Sequence, residues 1–240
     1  FERDGAQEWC FAQGQDRIAK LYHYKTSAWA MGTAAAYRWN EWGYQETVLH
    51  LRMGGNPDAQ VWINHPGETI HSGYGRPSYW GGSGTLPRVQ QYRGLAVVLF
   101  DCAAEQPDFT HAWFPQGAFD EVRVDGKRAL ARGGHGLLQL KTDSGLQIVE
   151  SGPTAGNELR ADGRKAVWIV RLGEAGRHDA LDAFAERFSA LELRHETGGL
   201  LLVDDPEYGE VRFHQDGRVE AQGRVIDPAG WTVKGEAVFH

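Results

Sequence analysis

The sequence predicts an all-β protein: an antiparallel β-sandwich or stack of sheets, with one short α-helix near 178–189. Three observations predict it. Short segments alternate apolar and polar residues along most of the chain, Asp-, Gly- and Pro-containing turns separate them, and a single segment repeats apolar residues at helical spacing. No glycine cluster follows a strand and opens a helix in the G-x-G-x-x-G manner, which disfavours a parallel α/β fold.

The first clear strand pattern is 17–27, where Ile18, Lys20, Tyr22, Tyr24 and Thr26 alternate with Ala19, Leu21, His23 and Lys25. Further strands are predicted at 45–53, 60–64, 95–101, 110–114, 121–124, 137–141, 147–150 and 165–171. Gly54-Gly55-Asn56-Pro57, Asp125-Gly126, Asp143-Ser144-Gly145 and Asp162-Gly163 punctuate them, the Asp-Gly pairs suiting tight hairpins. In the helix, Leu181, Phe184, Ala185 and Phe188 share one face while Asp182, Glu186 and Arg187 point away. A meander follows, with strands at 199–203, 209–214, 218–221 and 231–238. A boundary near 173–177 would divide a sandwich over 1–175 from helix and meander over 176–240, and nothing linker-like separates the two.

A chain of 240 residues with 41% hydrophobic residues and 31 glycines is long and apolar enough to bury a core. Its formal net charge of −7 removes the basic surplus that nucleic acid or an anionic membrane would require, and no run approaches a membrane span. The start at Phe1 reads as a processed product or an excerpt of something longer. Cys10 and Cys102 could form one disulfide and no more. With 9 Trp and 8 Tyr, the chain is rich in flat rings that fill a sandwich core or stack on sugar rings.

The densest polar and aromatic stretch, 62–91, carries so much Gly and Pro that it reads as a long ordered loop. His65, Glu68, His71, Arg76, Tyr79, Trp80, Arg88 and Gln90 give it titratable groups, anion-binding forks and stacking surfaces, the mixture a sugar site needs; the same residues would also suit packing over the end of a sheet. Arg76 and Arg88 are candidates for a substrate carboxylate or sulfate. A second cluster runs from Thr110-His111-Ala112-Trp113 to Asp120-Glu121, with Trp113 and Glu121 as candidate binding residues. His65 and His111 are the candidate proton-transfer or metal-assisting pair, because imidazole exchanges protons near neutrality; alternatively each anchors the proline turn beside it. His65, His71, Glu68 and His111 could supply metal ligands, without helical HExxH spacing. No G-x-S-x-G elbow is present.

Gly43-Tyr44-Gln45-Glu46, Asn64-His65-Pro66-Gly67, Arg76-Pro77-Ser78-Tyr79-Trp80-Gly81-Gly82, Leu86-Pro87-Arg88-Val89-Gln90, Thr110 to Pro115, Phe119-Asp120-Glu121 and Gly156-Asn157-Glu158-Leu159 together carry a likeness that covers most of the chain. It resembles the C-terminal β-sandwich region of bacterial carbohydrate-active proteins with an N-terminal α/α toroid, the heparinase II/III-like polysaccharide lyases and related glycoside hydrolases. The resemblance implies a supersandwich-like fold, a periplasmic or secreted location, an acidic polysaccharide or oligosaccharide as partner, and a helical domain or chain upstream that supplies half of the site. It also implies that 65–90 and 111–121 face the cleft and that a structural divalent metal is conceivable. Fold likeness does not choose between elimination and hydrolysis, and a non-catalytic binding or assembly module is the alternative.

Overall fold

A computed structural model describes residues 5–14, 19–103, 107–176 and 181–229, with the backbone of 232–234. Three antiparallel sheets and one helix make up its regular structure. Strands β1 (Gln7–Gln13), β2 (Ala19–Lys25), β3 (Trp29–Ala35), β4 (Leu49–Met53) and β5 (Gln60–Asn64) form a meander. β6 (Arg88–Tyr92) and β7 (Leu95–Asp101) begin a second sheet, and β8 (Phe109–Trp113) returns to pair with β5. β9 (Glu121–Asp125), β10 (Arg128–Gly133) and β11 (Gly136–Thr142) extend the second sheet. β12 (Leu146–Ile148) and β13 (Glu158–Asp162) extend the first, and β14 (Lys165–Glu174) inserts between β7 and β11.

After helix α1 (Leu181–Arg187), a third sheet winds through β15 (Leu193–His195), β16 (Leu201–Asp205), β17 (Gly209–Phe213), β18 (Val219–Ala221) and β19 (Arg224–Ile226). β20 (Thr232–Lys234) then closes onto β1. The first sheet thus has nine strands, the second six and the third five.

Alternation places the layers. One face of the nine-stranded sheet, including Met31, Leu51, Ile63, Ala112 and Leu159, shares a core with Val98, Leu140, Trp168 and Val170 of the six-stranded sheet. The other face of that second sheet, with Tyr92, Leu95, Val97 and Ile169, shares a second core with Phe184 and Phe188 and with Val203, Val211 and Phe213 of the third. Helix α1 buries Leu181, Phe184 and Ala185, with Phe188 just beyond it, and leaves Asp182 and Glu186 exposed, as its spacing predicts. The expected helix start at 178–180 and the residues 231 and 235–238 lie outside the described residues.

Three expectations change. The predicted loop 62–91 ends inside regular structure, because its last residues form β6; that strand is buried at every position and so lacks the alternation that marks a half-exposed strand. Of the Asp-Gly turns, Asp125-Gly126 is a hairpin, with Gly126 at φ +49, joining β9 to β10, whereas Asp162-Gly163 carries the chain from the first sheet to the second. Cys10 and Cys102 are separate buried thiols, not a disulfide.

Candidate functional site

The outward face of the nine-stranded sheet is built from the residues that alternate with the core. Register aligns Trp9 with His23, His23 with Gly32, Gly32 with His50, His50 with Trp62, and Trp62 with Trp113 across β1, β2, β3, β4, β5 and β8. One cross-strand ladder therefore carries a line of rings. Trp9 stacks on His23 with centroids 5.1 Å apart, and Trp62 stacks on Trp113 at 5.4 Å. A groove of about 440 Å³ lies over Trp9, His23, Lys25, Gly32, His50 and Arg52. It meets a second depression of about 360 Å³, over Trp62 and Trp80, at the shared residues Thr47 and His50.

Beyond Trp62 the loop 65–87 folds over the same face and closes it. Trp80 stacks flat on His111, centroids 4.1 Å apart, and sets its edge against both Trp62 and Trp113. Beneath it Glu158 Oε1 accepts hydrogen bonds from Tyr79 Oη at 2.7 Å, Arg160 Nε at 2.7 Å and His111 Nδ1 at 3.1 Å, while Arg160 also donates to the Tyr79 hydroxyl. Burial opposes the Glu158 charge, but hydrogen bonds from His111, Arg160, Thr154 and Tyr79 outweigh it and hold the carboxyl down at about 2. Burial pushes His111 below the usual imidazole range, more than Glu158 raises it. Burial and the Glu158 charge push the Tyr79 phenol upward.

At neutral pH these shifts make Glu158 an anion and His111 a neutral ring whose Nδ1 proton points at that anion. Among the described residues His111 Nε2 makes no hydrogen bond of good geometry, with the Tyr79 backbone as a polar neighbour of the ring. Chemically it is a base, but its ring is 0% exposed under Trp80.

The structure brings four of the sequence-predicted site residues together: Tyr79, Trp80, His111 and Trp113. It gives the others different work. His65 is buried, its Nδ1 accepting from the Thr85 N–H at 3.0 Å and its Nε2 bonded to the Pro107 carbonyl at 2.9 Å, so both nitrogens are used to anchor the loop. His65 follows Asn64, which faces His111 across β5 and β8, so the two histidines lie near each other as expected, but among the described residues no hydrogen bond joins them; His111 bonds Glu158 instead. Arg88 and Gln90 point to the opposite side of the molecule, where Arg88 donates to the carbonyls of Gly199 and Phe213 and Gln90 to that of His214, joining the second sheet to the third. Burial drops Arg88 to about 10. Glu121 lies on the edge strand β9, paired with Arg123 at 2.5 Å, and Asp120 beside it bonds the Gly134 N–H. Arg76 is exposed on the loop.

Among the described residues no three His, Cys, Asp or Glu side chains converge as a metal would require. His65, His71, Glu68 and His111 therefore form no such group there.

Sequence reasoning did not assign Glu158, Arg160, Trp62, His50 or Trp9 to the site. Two of the rings had a usable signal, since His50 and Trp62 occupy the polar half of an alternating strand, in Leu49-His50-Leu51-Arg52-Met53 and Gln60-Val61-Trp62-Ile63-Asn64. Glu158 had none nearby, because its partners Tyr79 and His111 are 79 and 47 residues away.

Compared with protein-family models, curated proteins and solved structures, the chain matches none of them. Among the described residues no helix is long and apolar enough to cross a membrane.

Proposed function

We propose that this chain is the sugar-binding β-sandwich of a polysaccharide-degrading protein, and that the outward face of its nine-stranded sheet holds an acidic glycan. The observation that carries this reading is the ring-lined groove: in a protein of net charge −7, the only formal charges among its described lining residues are Lys25 and Arg52. The C–H faces of pyranose rings pack on Trp and His rings, while the cations attract carboxylates or sulfates. The resemblance to toroid-bearing lyases and hydrolases adds the expectation that a helical domain or chain covers this face and completes the cleavage site.

A second reading, a binding module without catalysis of its own, draws support from the closed position of His111. A base stacked under Trp80 and bonded to Glu158 organises the wall of the groove without reaching a substrate. On either reading the groove binds.

The test is calorimetric titration of uronate-containing oligosaccharides into the wild-type protein and into Trp62→Ala and Lys25→Ala, at low and high salt. Weaker binding in both variants, and a loss of affinity with salt that is smaller for Lys25→Ala, is expected. Affinity unchanged in both folded variants overturns the reading. Product assays on the intact gene product separate the two alternatives: new ultraviolet absorbance marks elimination, reducing ends alone mark hydrolysis, and neither marks a binding module.

A further inference from the structure

We propose that the glycan crosses the strands rather than running along them, with Trp9–His23 and Trp62–Trp80 as end subsites and Gly32 as the floor between. This rests on the glycan-binding reading above and adds to it a direction, a length and a residue that determines both.

The direction follows from register. Trp9, His23, Gly32, His50 and Trp62 occupy matching positions on five neighbouring strands, so the line through them is perpendicular to the strands. Neighbouring strands lie about 4.8 Å apart, so from β1 to β5 the line covers four steps, or roughly 19 Å. A pyranose repeat is about as long as one step, and the line seats roughly four sugars. Along any one of these five strands the outward face carries at most two rings in succession, Trp9 and Phe11 on β1; β8 carries Phe109, His111 and Trp113, but His111 is closed under Trp80. Two residues away on one side the same face carries Lys25, Ala30, Arg52 and Gln60; on the other side it carries Leu21 and Ala34, with Phe11 as the one ring, at the β1 end. The flanking row supplies both cations from one side, so the sugar carboxylates face that edge.

Gly32 sets the depth of the groove. A Cβ there would lie 2.4 Å from His23 Nδ1, so the absence of a side chain is what lets the His23 ring lean over β3. The backbone of Gly32 does not adopt a positive φ, and a strand position of this kind accepts a β-branched residue. Gly32→Val is therefore expected to keep the sheet, displace His23 and raise the floor in the middle of the groove.

The experiment is titration of uronate-containing oligosaccharides of two to six sugars into the full chain. Wild-type affinity is expected to rise with length to about four sugars and then level off. Trp9→Ala is expected to weaken the tetrasaccharide about tenfold, as the loss of one stacking platform would, and to leave the disaccharide unchanged. Gly32→Val should show the same dependence on length, with melting curves confirming that each variant is folded. A tetrasaccharide affinity that ignores Trp9→Ala but collapses in Trp62→Ala would overturn the crossing direction while leaving the binding face intact. Absence of binding by the wild-type protein at every length would remove the binding face and the direction together.

Discussion

Glu158 is 1% exposed, yet one of its oxygens gathers three donors, and His111 is 0% exposed beside it. The direction of each shift fixes how stability responds to pH. The Glu158 carboxyl is depressed from 4.5 to about 2, so its contribution is present above pH 4.5 and is lost as pH falls toward 2. His111 and His65 are both lowered by burial, so below their ordinary value of 6.5 the unfolded chain takes up protons that the folded chain refuses. Stability therefore falls with pH on both counts, by about 1.4 kcal/mol per pH unit for each proton held only by the unfolded chain. Urea unfolding from pH 7 to pH 5 should give a steeper loss for wild type than for His111→Gln. Equal slopes would mean that His111 protonates freely in the folded protein. Glu158→Gln, which leaves three donors around a neutral amide, should cost about 1.5–3 kcal/mol at pH 7.

Among the elements, α1 was the most legible in the sequence and the segment 62–91 the least. The helix has one apolar stripe with a single burial partner, so spacing alone located its buried face; the ring of Phe184 is 0% exposed. Phe184→Ala should lower the unfolding free energy by about 3–5 kcal/mol. Asp182→Ala, on the exposed face, is expected within about 0.5 kcal/mol of wild type. A chemical denaturation midpoint unchanged by Phe184→Ala would show that the ring does not hold the helix to the sheet. The segment 62–91 was harder because composition marks a loop but says nothing of what it covers. Its Tyr79 and Trp80 reach the site, whereas Arg88 and Gln90, in the same polar-aromatic run, sit in β6 and serve the opposite face. The sign that would have parted them is parity: Arg88, Gln90 and Tyr92 fall on one side of a strand whose other side faces the first core. That sign is silent until the strand is recognised. β3 and β10 were passed over for a related reason, since their small residues, Ala30, Gly32 and Ala34 in one and Ala129, Ala131 and Gly133 in the other, alternate weakly in hydropathy.

At the scale of the whole molecule, the sequence placed a possible boundary near 173–177, and the packing gives that boundary a physical test. The second sheet is the middle layer of three, and Tyr92, Leu95, Val97, Leu137 and Ile169 on its outer face belong to the core completed by α1 and the third sheet. Arg171, 1% exposed, links the layers: it pairs with Asp205 at 2.7 Å and lies between the rings of Phe188 and Tyr208, 4.3 and 4.4 Å from their centroids. The Arg88 and Gln90 bonds to the third sheet add a second set of links, and β20 pairs with β1 at the far edge of the first. Ending the chain after residue 176 would strip all three connections, leave Arg171 without its carboxylates and expose an apolar sheet face to water. Such a fragment is expected to aggregate or to bind a hydrophobic dye, and the full chain to unfold in one transition seen alike by far-ultraviolet dichroism and tryptophan emission. A soluble 1–176 fragment that melts cooperatively near the temperature of the full chain would make the helix and third sheet a separate appendage, and the bonds of Arg88 and Gln90 a contact between two independent units.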